Sequence, residues 1–257
     1  MPNYITSKDN SLIKSTNKLL TSSKYRRESG LFVLEGLRLC SDAEANNYKI
    51  KVLFVSENFL DKNINFDFDG FKAEEKYIVN DSVLSKISDT VSPQGIVCIV
   101  NSPDKIGTLQ NGAYIALENV QDPANIGAIA RTAEALGAKG LIVSENSCDP
   151  YSSKALRAGM GAMLRIPVIV TEDFASFLSD AKKSHTLYAA VLQENSKFLK
   201  EIKFEENSIV LVGNEANGLT DKAVELSDYA VKIEMKGKAE SLNASVAASI
   251  LLWEILK

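Results

Sequence analysis

Histidine is nearly absent from this chain: His185 is the only one, beside one tryptophan and three cysteines. Cys40, Cys98 and Cys148 stand far apart, with no C-x-x-C pair. Three scattered thiols and one imidazole do not make a zinc site, so no metal is expected. An odd, sparse cysteine count fits a reducing compartment. No apolar run reaches the roughly 18 residues that a membrane helix needs. The opening stretch MPNYITSKDNSLIK lacks the continuous apolar core of a secretory signal, so a cytoplasmic protein with no membrane partner is expected. His185 precedes the apolar run LYAAV with no nucleophile nearby to activate, and reads as structural. Cys98, inside GIVCIV, reads as core.

What is present is ordinary globular material: 257 residues, 45% hydrophobic and 24% charged. At about 150 residues per domain this means one large or two modest domains. A chain of this size buries roughly three-quarters of its unfolded surface and folds without disulfides or metal. Basic residues number 29 and acidic ones 33, a net charge of −4. The distribution is uneven. Residues 1–27 hold Lys8, Lys14, Lys18, Lys24, Arg26 and Arg27 against the single acid Asp9. Such a run is either a solvated helix face or a phosphate-contacting patch.

Apolar spacing at Leu12, Ile13, Thr16, Leu19 and Leu20 predicts an amphipathic helix over 10–22. Short apolar runs predict strands at 31–34, 52–55, 78–79 and 95–100, with helices around 36–47 and 80–88. This is a small α/β unit ending near residue 100. Residues 101–112, rich in Asn, Ser, Pro, Gly and Asp, read as a linker. A second series follows, with strands at 114–117, 140–143, 166–170, 187–191, 208–212 and 229–233. Its helices are expected at 126–136, 153–164, 173–182, 220–226 and 242–256. Strand–helix alternation implies an α/β fold with a mostly parallel sheet covered on both faces. Ligands then bind where loops leave the carboxyl ends of strands.

Three such loops are unusual. The first, ENVQDPANIGAIARTAEALG, offers Asn125 as a helix cap and sets Arg131 above the small residues Gly127 and Ala128. Arg131 is either a substrate-facing cation or half of a surface pair with Glu134. The second, VGNEANGLT, nearly makes a P-loop, but Leu219 occupies the lysine position, which disfavours a nucleoside triphosphate. Glu215 is either a functional carboxylate or a first-turn acid. The third, IEMKGKAESLNASVAASILLWEIL, offers Ser241 as a cap, and Asn243 opens an otherwise small and apolar helix. A dinucleotide fold is excluded, because the loop after 114–117 carries only Gly127 of the required G-x-G-x-x-G.

Taken together, Asn125-Ile-Gly127-Ala-Ile-Ala-Arg131, Val212-Gly213-Asn214-Glu215 with Gly218-Leu219, and Ser241-Leu242-Asn243-Ala244-Ser245 resemble the motifs of the SpoU/TrmH family of RNA 2′-O-ribose methyltransferases. The resemblance covers about residues 113–257. FVLEGLRL (32–39) and SPQGIV (92–97) resemble the family's substrate-binding domain, which is similar to ribosomal protein L30e. The resemblance implies domains at 1–100 and 113–257, a deep trefoil knot in the second, a homodimer and S-adenosylmethionine as cofactor. Gly213, Ile233 and Leu242 would hold that cofactor. Arg131 would be catalytic, with Asn125, Glu215, Ser241 and Asn243 fixing it and the ribose. Glu234 stands where relatives often have proline, Ala244 where valine is common and Gly159 where serine is common. The expected substrate is RNA, not DNA, since the 2′-hydroxyl is the group that separates them. The front domain favours 23S ribosomal RNA; a tRNA methyltransferase, a non-catalytic ribosome-assembly protein and an unrelated α/β enzyme are the alternatives. Lys24, Arg26, Arg27, Arg38, Arg157 and Arg165 are the candidate RNA contacts.

Overall fold

The computed structural model describes residues 3–103 and 108–257. Residues 104–107, inside the expected linker, lie outside the described residues. The chain folds into two units. One comprises the described residues to 103 together with Tyr151–Leu156; the other comprises the rest.

The first unit runs β1 (Asn3–Ile5), α1 (Ser11–Thr21), α2 (Ser23–Ser29), β2 (Leu31–Glu35), α3 (Leu37–Ala45), β3 (Ile50–Ser56), α4 (Glu57–Lys62), β4 (Glu75–Val79), α5 (Asp81–Leu84) and β5 (Ile96–Asn101). Its described strands form a sheet in the order β1-β4-β3-β5-β2, parallel from β1 to β3 and antiparallel from β3 to β2. Ile13 and Leu19 of α1 pack with Val33, Phe54, Val83, Ile87 and Val97. Asn10 starts α1 by accepting the Leu12 N–H at 2.8 Å. Cys40 and Cys98 are fully buried. Tyr151 joins this unit and lays its ring on Phe32.

The second unit continues with β6 (Ala113–Leu117), α6 (Pro123–Leu136), β7 (Gly140–Ser144), α7 (Ser153–Gly159), β8 (Val168–Thr171), α8 (Phe174–Ala181) and β9 (Thr186–Ala190). It ends with β10 (Lys197–Phe198), β11 (Ser208–Val212), α9 (Asp221–Leu226), β12 (Tyr229–Lys232) and α10 (Ala244–Ile255). Its described strands make one sheet in the order β10-β12-β9-β11-β6-β7-β8, every pair parallel. Each residue of β6, β7 and β11 is buried. Burial on both faces is why these strands are written as continuous apolar runs. His185 is buried at this unit's edge. Its Nδ1 lies 2.9 Å from the Ser184 hydroxyl and its Nε2 is 3.1 Å from the Gln110 carbonyl. Burial pulls its pKa below the ordinary value, so the ring is neutral and structural.

Local departures from the sequence reading have physical causes. The helix expected over 153–164 breaks after Gly159, where Met160 and Gly161 adopt φ of 50° and 84°. A 3-10 turn at Ala162–Leu164 follows. The strand expected from 166 begins at Val168, because Pro167 has no N–H for the ladder and only its carbonyl accepts, from Leu141. α6 starts earlier than expected. Asp122, not Asn125, is its cap, accepting the Ala124 N–H at 3.0 Å, with Pro123 in the first turn. α10 starts later: Asn243, not Ser241, is its cap, accepting the Ser245 N–H at 2.9 Å.

The last stretch of chain matters most. β12 lies outside β9, two places from central β11. α10 nevertheless packs on α6, β11 and β6. Residues 233–243 therefore carry the chain from near one edge of the sheet back to its middle.

Candidate active site

Three loops leave the carboxyl ends of strands in this sheet: 118–122 after β6, 213–220 after the adjacent β11, and 233–243 after β12, two places further on. Side chains fasten the first two together. Glu118 is buried, and its two carboxylate oxygens accept the Thr220 N–H and the Thr220 hydroxyl, each at 2.8 Å. Thr220 in turn caps α9 through the Ala223 N–H. The Asn214 amide donates to the Asn119 carbonyl at 2.8 Å. Glu118 was not foreseen; an acid directly after a fully apolar strand was the signal available.

Loop 213–218 closes on itself. Asn214 and Gly218 exchange two backbone hydrogen bonds of 3.0 and 2.9 Å, and the Asn214 side-chain oxygen accepts the Ala216 and Asn217 N–H groups. This brings the Gly218 backbone against Gly213. A Cβ on Gly213 would stand 2.1 Å from the Gly218 carbonyl carbon, so only glycine fits there.

Three of the five expected catalytic residues, Glu215, Asn125 and Asn243, meet in a chain of amides ending on a carboxylate. Asn125, buried in the first turn of α6, donates through Nδ2 to Glu215 Oε1 at 2.8 Å. Its Oδ1 accepts from Asn243 Nδ2 at 3.1 Å. Asn243 Oδ1 accepts from both the N–H and the hydroxyl of Ser245. One residue from each loop or the helix it opens is thus tied to the next. Asn125 at the end of the first turn, rather than at the cap, frees its side chain for this role.

Arg131 and Ser241 stand outside the chain of amides. Ser241 is exposed, two residues before Asn243. Arg131 is exposed on α6, and among the described residues it makes no hydrogen bond or ion pair. The surface pair with Glu134 does not form. Arg165 takes Glu134 instead, at 3.0 Å through Nε and 3.4 Å through Nη2. This leaves the Arg131 guanidinium available and removes Arg165 from the freely exposed cations.

Arg26 is a plain correction. It is buried, and its Nη1 donates to the Leu19 carbonyl and, at 3.1 Å, to that of Leu20. Carbonyls in the last turn of a helix lack partners within it, so Arg26 serves α1 rather than RNA. Lys24, Arg27 and Arg38 are exposed; Arg157 is half-buried.

Cys148 lies beside the cluster. Burial, with the carboxylates of Asp122, Asp149 and Glu215 nearby, pushes its thiol up to about 12. A thiol so held is no nucleophile at neutral pH.

Loop 233–243 keeps its backbone largely uncommitted. Ile233 and Leu242 are half-buried. Among the described residues, no hydrogen bond to another backbone group engages positions 233–242, so their amides and carbonyls are unspent. Glu234, where proline was the family expectation, is paired with Lys200 at 2.9 Å, which holds its carboxyl below the usual range.

Residues 112–253 match the model of the SpoU rRNA Methylase family, and residues 10–98 match the MRM3-like substrate binding domain. The chain is 29% identical, over 98% of both chains, to the 23S rRNA (guanosine(2553)-2′-O)-methyltransferase RlmP of Bacillus subtilis. It is 30% identical to an uncharacterized tRNA/rRNA methyltransferase of Synechocystis, over 97% of this chain and 92% of the other. Among solved structures, the AdoMet-bound rRNA methyltransferase from Sinorhizobium meliloti superposes with a TM-score of 0.84 at 30% identity, covering 98% and 97% of the two chains. With the family model spanning more than half its length, the chain belongs to the SpoU rRNA methylase family.

Proposed function

We propose that this protein transfers a methyl group from S-adenosylmethionine to a ribose 2′-hydroxyl of 23S ribosomal RNA. The observation that carries the reading is the run Glu215–Asn125–Asn243, which joins three strand-end loops at one place. The names of the full-length relatives supply the substrate class. S-adenosylmethionine, when bound, presents a methyl group made electrophilic by its sulfonium. Gly213, Ile233 and Leu242 would hold it through loop backbone. Attack of the 2′-oxygen on that methyl carbon would form the carbon–oxygen bond as the carbon–sulfur bond breaks, leaving S-adenosylhomocysteine as a neutral thioether and passing the hydroxyl proton to water. Alignment of hydroxyl and methyl contributes several kcal/mol. Arg131 stabilises the negative charge that develops on the 2′-oxygen; a guanidinium stays protonated, so this role suits it better than that of a base. Asn125, Glu215, Ser241 and Asn243 orient the ribose.

The return of residues 233–243 to the sheet centre supports a trefoil knot, with the C-terminal segment passing through a preceding loop. The active unit is a homodimer. α10 is apolar around much of its circumference and leaves Val246 and Trp253 exposed, as a helix does when a second copy covers it. The unit carrying Lys24, Arg27 and Arg38 binds the RNA.

Tritiated-methyl transfer to RNA, followed by mapping of 2′-O-methyl sites with and without the protein, tests the reading. Arg131→Ala should lower turnover at least about 100-fold while calorimetry shows cofactor binding intact. Near-normal turnover in that variant refutes the role of Arg131. Absence of any methyl transfer by the wild type refutes the function.

A further inference from the structure

An open pocket of about 390 Å³ lies beside the amide chain, lined by Asn119, Gln121, Asn214, Asn217, Gly218, Leu219 and Thr220. None of these side chains is charged, and Glu118 beneath them is turned onto Thr220. Such a lining offers nothing to a phosphate, which is held by Lys, Arg or clustered N–H groups. It is instead rich in amides.

Hydrogen bonds already made decide what each amide has left. Gln121 donates through Nε2 to the carbonyls of Asn119 and Asn146, both at 2.9 Å, which leaves its Oε1 as an acceptor. Asn119 accepts through Oδ1 from Ser144, leaving its Nδ2 as a donor. Asn214 uses its Oδ1 within its own loop and its Nδ2 on the Asn119 carbonyl. Among the described residues the Asn217 side chain makes no hydrogen bond, so it offers both a donor and an acceptor. The frame is stiff. Asn119 is held at a φ of 57°, with its N–H on Ser144 and its carbonyl taken by Asn214 and Gln121. The pocket also adjoins the site itself: the Gln121 N–H lies 3.5 Å from Glu215 Oε2, two residues before Asn217.

A neutral, rigid pocket with unpaired amide donors and acceptors matches the edge of a nucleobase. Asn and Gln read base edges by paired hydrogen bonds, and proteins read RNA sequence mostly on bases splayed out of single-stranded segments. We propose that this pocket receives the base of the nucleotide whose ribose is methylated, and that Asn217, with Gln121 and Asn119, sets which base is accepted. The inference rests on the methyltransferase reading above and adds the origin of its base specificity.

The test uses the full chain and four 23S rRNA transcripts differing only in the base at the mapped methylation site. The wild type should prefer one base by at least about tenfold in kcat/KM. Asn217→Ala should bring the four rates to within about threefold of one another, with cofactor binding by calorimetry unchanged. Asn217→Asp, which keeps the shape but removes the donor, should change the order of preference. Equal rates for the wild type on all four bases, or an unaltered preference in both variants, overturns the pocket assignment while leaving the methyltransferase reading standing. No methyl transfer by the wild type overturns both.

Discussion

Asn125 is bonded on both sides: its amide nitrogen serves a carboxylate and its amide oxygen receives another amide. Asn125→Asp keeps the size but replaces the donor facing Glu215 with a second carboxylate. Removing a hydrogen bond to a charged group costs about 1.5–3 kcal/mol, before repulsion is added. Turnover should fall at least tenfold, and thermal unfolding should move to lower temperature at neutral pH. An unchanged melting temperature and rate would show that the bond to Glu215 carries no function. At this scale the sequence was partly legible. Residue types for the site stood out because Asn and Glu are unusual among small apolar neighbours. Position within the helix did not, because Asp122 and Asn125 are both good caps and only Pro123 decides between them. Arg26 was illegible for another reason. A buried arginine and an exposed one look alike in a basic run, and the difference is the nearby end of α1.

Two hydrogen bonds fix the relation between α6 and α10. Asn125 meets Asn243, and Thr132 meets Ser249 at 3.1 Å. The partners advance by seven residues on one helix and six on the other, so the helices run parallel. Ala248, next to Ser249, is fully buried on α10, which packs on α6, β11 and β6, so Ala248→Leu inserts bulk beneath this helix. Overpacking costs about 1–3 kcal/mol, and urea unfolding should register that loss. Activity should fall more than the lost stability accounts for, because Asn243 is displaced from Asn125 when α10 shifts. Equal activity per folded molecule would separate the helix pair from the site. The small-residue pattern of α10 was readable as close packing; its partner was not, since nothing local names α6. The buried parallel strands were legible for the opposite reason, as continuous apolar runs. Two- and three-residue strands such as β1 and β10 are too short to carry any pattern.

Across the whole molecule, a net charge of −4 must be reconciled with a polyanionic substrate. Uniformly spread, that charge would repel RNA, so binding depends on where the cations stand. Six of the 29 basic residues fall within the first 27 positions. The structure sorts them. Lys14 is paired with Asp9 at 2.9 Å, Lys24 lies 3.8 Å from Glu28, and Arg26 is buried. Exposed pairs of this kind are screened by water and worth little, so a phosphate can replace the carboxylate partner of Lys24. It cannot reach Arg26. Each phosphate neutralised releases counterions and steepens the fall of affinity with salt by about 0.7 to 0.9 in the logarithmic slope. Lys24→Glu with Arg27→Glu and Arg38→Glu should therefore weaken RNA binding and flatten that slope by about 2, measured by filter binding across a salt series. Arg26→Ala should behave otherwise, lowering the unfolding temperature while leaving the slope of the remaining folded protein unchanged. A slope unaltered by the triple reversal would place the RNA on another face of the protein.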